Sequence, residues 1–172
     1  MYAFAAGRSP AGVARAAIVP LLIAAAALGE AGCATDNNAY YSGAPANVEF
    51  VGQATRETLR ELMGGARAFV FAALEDFGIV PVEAQACGTP VLAYGEGGAR
   101  ETVVDGVTGR FFDAQSAAAI AEAVTRHEAT LAEFSPDACR AHAQRFATAH
   151  FAAAYTRFVE DAWSAFAAPP AR

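Results

Sequence analysis

Lysine is absent from this 172-residue chain, and every one of its 12 basic residues is arginine. Charge of either sign is scarce, at 17% of residues, and the acidic side prevails, with a formal net charge of −6 and a pI near 5.0. That balance excludes a protein that holds nucleic acid through general positive charge. Cysteine is scarce too. Cys33, Cys87 and Cys139 are odd in number, far apart and form no CxxC pair, which excludes a disulfide framework and a cysteine-built zinc site. They read as small, semi-apolar residues of a reducing compartment. What the chain has in quantity is apolar: 55% of residues are hydrophobic, far from the composition of a disordered chain. The length suits one domain that buries its own core.

Residues 1–46 stand apart. Arg8 and Arg15 precede an apolar run at 16–28, and Ala31-Gly32-Cys33 follows. The order of basic, apolar and small residues before a cysteine resembles a bacterial lipoprotein signal. Glu30 and Pro20 break that pattern, and the run is short for a membrane span. The expectation is therefore a buried or degenerate helix in a cytoplasmic protein, peripheral to the inner membrane face at most. Export as a lipoprotein through Cys33 is the alternative. Residues 34–46, with Asn, Asp, Ser, Gly and Pro and no apolar period, read as a loop.

From Asn47 the pattern becomes regular, and 47–166 reads as one domain. Short apolar runs at 48–51, 68–72, 90–94 and 110–112 predict strands, the second and third buried on both faces. Between them lie helical stretches. Thr55 caps one that ends at Gly64-Gly65 and places Leu59, Leu62 and Met63 on one face. Pro81 suits the first turn of another, at 82–86, closed by Gly88. Residues 99–104 form a short third, after a flexible turn at 95–98. Ser116 caps a helix with Ile120, Ala123 and Val124 on its apolar side, and Ser135-Pro136-Asp137 opens the next. A terminal helix carries an apolar stripe of Phe151, Tyr155, Phe158, Val159, Ala162 and Phe166. Alternating strands and helices predict an α/β domain, a Rossmann-like parallel sheet with helices on both faces. Ligands of such sheets sit beyond the carboxyl ends of the strands, and the loop at 74–80 is there.

The stretch from Glu75 to Glu83 is the part with chemical content. Gly78 lets the backbone approach a ligand or take a positive φ. The amides near Ile79 and Val80 open a helix and lack intrahelical acceptors, so they suit an anion. Glu75 before the helix start and Glu83 just inside it can accept hydrogen bonds from sugar hydroxyls while the amides donate to phosphate. Each residue also has a plain structural role: a carboxylate against the helix dipole, a solvated loop charge, a turn glycine. His127, His142 and His150 have no Ser, Cys or Asp constellation near them in sequence and read as packing or solvated residues.

Glu75 to Glu83 resembles the E-x7-E motif of family 4 glycosyltransferases. So do the continuation Ala84-Gln85-Ala86-Cys87-Gly88-Thr89-Pro90-Val91, the run Gly97-Gly98-Ala99-Arg100-Glu101-Thr102-Val103, Gly106-Val107-Thr108-Gly109 and Phe112-Asp113. Upstream, 47–52 and 66–71 match the preceding strands. The resemblance implies the C-terminal, donor-binding half of a GT-B enzyme. It implies transfer of a hexose with retention of configuration, needing no metal and no cofactor beyond the substrate, GDP-mannose or a UDP-hexose. The wording from Phe77 to Gly88 is most similar to mannosyltransferases. By the same resemblance, Glu83 holds the donor ribose, Glu75 faces the transferred sugar as the catalytic residue, and the backbone of Phe77, Gly78, Ile79 and Val80 contacts sugar and diphosphate. The acceptor, a glycan or lipid-linked sugar, is unspecified.

The departures are as definite. The first of the family's two domains has no counterpart here, and neither does the arginine–lysine pair that grips the diphosphate. Arg8, Arg15 and Arg100 are the available substitutes. The family's last helix packs across the boundary between its domains, so an exposed apolar stripe is expected at the C-terminal end. An N-terminally truncated enzyme, acting with a separately encoded N-terminal half, is one expectation. A non-catalytic nucleotide-sugar-binding domain is another, and an envelope lipoprotein that reuses the domain is a third.

Overall fold

The computed structural model describes residues 54–167. The predicted strand at 48–51, the segment 1–46 and the first two arginine substitutes lie outside these residues.

Helix α1 (Arg56–Gly65) starts at Thr55, whose hydroxyl accepts from the Thr58 amide at 3.2 Å, and it ends at the glycine pair. Of its apolar face, Met63 is buried and Leu59 and Leu62 are half-buried. Strand β1 (Phe69–Phe71) follows, then α2 (Ile79–Ala86), β2 (Val91–Tyr94), α3 (Ala99–Thr102) and β3 (Gly109–Phe112). Next come α4 (Ala117–Ala129), a 3₁₀ turn (Leu131–Glu133), α5 (Pro136–Ala143), a second 3₁₀ turn (Gln144–Phe146) and α6 (Thr148–Ala167).

The three strands pair in parallel in the order β1-β2-β3, with Phe69 opposite Val91 and Val91 opposite Gly109. One sheet face carries Phe69, Phe71, Val91 and Ala93, packed with Met63 of α1, Val80 and Ala84 of α2 and Ala99 of α3. The other carries Val70, Tyr94 and Phe112 against Ile120 and Ala123 of α4. The domain is thus α/β with helices on both faces, as the alternation of elements predicts. β2 lies between two partners, and Val91, Leu92 and Ala93 are almost fully buried, which is why this strand reads as a continuous apolar run.

Two boundaries differ from expectation. α2 begins three residues before Val82, because Gly78 turns the chain with φ 73° and lets Ile79 enter the helix directly; Pro81 then falls on the third helical position, where its missing N–H costs nothing. α3 is only four residues long, its end set where Val103 returns to extended geometry and leads to β3.

Helix α5 packs on α2. The Arg140 guanidinium donates to the Cys87 carbonyl at 3.4 Å and pairs with Asp137 at 2.7 Å. Cys139 is buried, and both it and Cys87 are free thiols; burial pushes both up from their ordinary value, so neither is an activated nucleophile. His127 is a core residue. Its Nε2 lies 3.1 Å from the Arg67 carbonyl and its ring rests on Phe134 at 4.9 Å.

Candidate functional site

Two loops meet at the carboxyl edge of the sheet: the one between β1 and α2, carrying Glu75, Asp76 and Phe77, and the Gly95–Gly98 turn after β2. The Gly98 amide donates to the Glu75 carbonyl at 2.8 Å. The approach is close enough to demand glycine. A Cβ on Gly98 would lie 2.4 Å from the Asp76 carbonyl oxygen and the Phe77 Cα, and one on Gly97, at φ 64°, would lie 2.6 Å from the Glu75 oxygen. The glycine pair therefore seats the Glu75 loop on backbone alone, and this explains why two adjacent glycines stand in this turn.

Gly78 closes that loop in the left-handed region, with the Phe71 ring 3.3 Å from where a Cβ would stand. No side chain caps α2, so the amides of Ile79 and Val80 are open to an outside acceptor, and Pro81 contributes none. Leu74, Phe77 and Ile79 are exposed around this helix start. Phe77 meets the edge of Phe146 at 5.7 Å. Glu75 is exposed in the loop, and Glu83 is exposed at the fifth position of α2, beyond its first turn. Complementing the helix dipole is thus a weak account of Glu83, because that effect is confined to the first turn.

Below this surface is a polar network that sequence reasoning missed. Gln85, fully buried in α2, donates from Nε2 to the carbonyls of Pro81 at 3.1 Å and Thr102 at 2.7 Å. Its Oε1 is 2.9 Å from His142 Nδ1. With the amide nitrogen committed to two carbonyls, Oε1 must accept, so His142 carries its proton on Nδ1 and offers Nε2 to Arg145, 3.2 Å away. Burial, and then the Arg145 charge, push the His142 pKa down. His142 also meets Phe146 edge-on at 5.6 Å. One chain of contacts thus joins α3, α2, α5 and the ring that supports Phe77. A buried glutamine two residues after the exposed Glu83, in a helix whose other residues are apolar, is the signal that could have found it.

Arg100, the remaining substitute for the missing clamp, is committed elsewhere: its Nε donates to the Gly95 carbonyl. It borders a cleft of about 270 Å³ on the α4 side of the sheet, with Glu96, Asp113, Glu122 and Arg126. None of Glu75, Phe77, Ile79, Val80 or Glu83 lines that cleft; Glu75, Phe77, Ile79 and Glu83 are exposed, whereas Gly78 and Val80 are buried. Among the described residues no cluster of His, Cys, Asp and Glu could hold a metal ion, and no helix is long and apolar enough to cross a membrane.

Residues 35–130, more than half of the chain, match the family described as glycosyl transferases group 1. The chain belongs to this family. It is similar to the D-inositol 3-phosphate glycosyltransferase of Mycolicibacterium smegmatis, 40% identical over 106 residues that cover 57% of this chain and 24% of that protein. Over a shorter stretch of 51 residues it is 53% identical to the GDP-mannose-dependent alpha-(1-6)-phosphatidylinositol monomannoside mannosyltransferase of the same organism, covering 30% of this chain and 13% of that one. Among solved structures, the sucrose-phosphate synthase of Thermosynechococcus elongatus superposes with a TM-score of 0.60 at 32% identity, over 75% of this chain and 33% of the synthase. The chain spans a third or less of the length of each of these proteins.

Proposed function

We propose that this group 1 domain is the nucleotide-sugar side of a hexosyltransferase that retains configuration at the transferred carbon, with GDP-mannose the favoured donor and a UDP-hexose the next. The observation that carries the reading is the uncapped start of α2: Gly78 in the left-handed region, free amides at Ile79 and Val80, and a carboxylate on either side. Amides at a helix start suit a diphosphate. Glu83 binds the ribose hydroxyls, and Glu75, held by its carbonyl on Gly98, faces the sugar. The backbone from Phe77 to Val80 stabilises the departing diphosphate, and such electrostatic stabilisation supplies much of the rate in a transfer of this kind. The similarity to a GDP-mannose-dependent enzyme over 51 residues supports the choice of donor. The acceptor, a glycan or lipid-linked sugar, is held by groups outside residues 54–167, and a separately encoded half is the proposed source. A cytoplasmic location, where nucleotide sugars are made, follows from the donor.

Titration calorimetry of the purified chain with GDP, UDP, GDP-mannose and UDP-glucose tests the reading. Binding of one nucleotide series is expected, and Glu83→Ala weakens it by about 1–3 kcal/mol through loss of a hydrogen-bond pair. Binding that is absent for all four, or unchanged by Glu83→Ala, would refute it. A second reading, binding without transfer, is favoured by the absence of lysine, since enzymes of the resembling family use a lysine beside an arginine to grip the leaving diphosphate. Turnover of either sugar nucleotide by the same preparation separates the two.

A further inference from the structure

The start of α2 is short of positive charge. Glu75, Asp76 and Glu83 are exposed around it, and a nucleoside diphosphate adds negative charge to theirs. A helix start offsets only about half an elementary charge. Arginine is the only side chain of permanent positive charge in this chain. Five of the described arginines are committed elsewhere. Arg67 pairs with Glu128, Arg110 with Glu133, Arg126 with Glu122 and Arg140 with Asp137, while Arg100 donates to the Gly95 carbonyl.

Arg145 is held without being neutralised. It is exposed in the 3₁₀ turn between α5 and α6. Its Nη1 donates to His142 Nε2 at 3.2 Å, and its guanidinium carbon lies 6.0 Å from the centre of the Phe146 ring. Neither partner cancels its charge. The imidazole is neutral, bare at Nε2 because Nδ1 carries the proton that Gln85 accepts. Among the described residues no carboxylate pairs with Arg145.

The same turn is fixed against the donor loop. The Phe146 ring stands edge-on to His142 at 5.6 Å and to Phe77 at 5.7 Å, and Phe77 directly precedes Gly78 and the open amides of α2. His142 is tied through Gln85 to the Pro81 carbonyl, in the first turn of that helix. Two routes of contact therefore set Arg145 beside the helix start. A guanidinium that gives one N–H to a neutral acceptor keeps the rest of its fork for phosphate oxygens.

We propose that Arg145 binds the diphosphate of the donor nucleotide, completing the anion site that the Ile79 and Val80 amides begin; the assignment rests on the donor reading given above. Titration of the full chain with guanosine, GDP, uridine and UDP tests it. For the base that the site accepts, the diphosphate should bind wild type more tightly than the nucleoside does. Arg145→Ala should weaken the diphosphate about tenfold or more, the loss of a hydrogen bond to a charged group, and leave the nucleoside unchanged. Arg145→Gln, which keeps a donor for His142 but no charge, should lose as much. Both changes are at an exposed position, outside the core. Arg126→Ala removes the same charge on the opposite face of the sheet and should alter neither ligand. Wild type that binds neither GDP nor UDP overturns the donor reading and this assignment with it. Four results overturn the assignment alone: nucleoside and diphosphate bound alike by wild type, diphosphate affinity intact in Arg145→Ala or Arg145→Gln, an equal loss in Arg126→Ala, or a nucleoside affinity that falls by the same factor.

Discussion

At the scale of single residues, one glycine and one glutamine shape the start and the underside of α2. Gly78 stands between a strand and a helix proline, where it reads as a close backbone approach or a positive φ, and the structure gives it φ 73°. Gln85 shares a helix with Val80, Pro81 and Ala84, all buried, and nothing in the local pattern says that the carbonyl of Thr102 and the ring of His142 await it from 17 and 57 residues away. Long-range polar partners are set by packing, which periodicity does not encode. The network yields a sharp expectation. Gln85→Leu keeps the volume but strands the buried Thr102 carbonyl and the half-buried His142 N–H, so urea unfolding should show a loss of about 1–3 kcal/mol. A loss under 1 kcal/mol would mean that the amide is incidental. Glu75 and Glu83 are a different case: their motif was legible, and both lie where a ligand can reach them, but the roles assigned to them rest on the proposed donor.

At the scale of elements, alternation and caps carried most of the information. Thr55, Ser116 and Ser135 each precede a helix, and each hydroxyl accepts from an amide three residues on. Because Ser116 is exposed and its only recorded partner is the Ala119 amide at 3.2 Å, Ser116→Ala isolates the cap: a loss of about 1 kcal/mol in chemical denaturation, with helix content retained, is expected. No measurable change would show that water satisfies the α4 terminus equally well. What the pattern set less sharply was length. β1 is three residues rather than five, and α3 stops at Thr102 rather than 104, since strand ends depend on where neighbours stop pairing. The apolar period of α4 was correct at Ile120, Ala123 and the half-buried Val124, and its next inward position is His127.

At the scale of the whole molecule, two histidines tie stability to pH. Burial lowers the pKa of His127 and of His142, reinforced in His142 by Arg145. The unfolded chain takes up protons on both near the ordinary value of 6.5, while the folded protein resists until its own lower values are reached. Between those limits the unfolded state binds more protons, so stability is full above about pH 6.5 and falls as the pH drops through the folded values. Thermal melts from pH 7.5 to 5 should show this decline. His127→Gln with His142→Gln should flatten it, and a wild-type profile that stays level through pH 5 would contradict the burial of both rings.

The strand order has a consequence for how the chain reaches this state. Spatial order equals chain order, and each strand finds its neighbour about twenty residues back, Phe69 with Val91 and Val91 with Gly109. Among the described residues, no strand must hold a gap for one made later. As the chain leaves the ribosome, β1 can dock on α1, β2 can close on β1 once α2 has emerged, and β3 can add to a sheet already formed. Closing loops of this size is entropically cheap, so β1, β2 and β3 can join the sheet one after another during synthesis, in the order in which they are made.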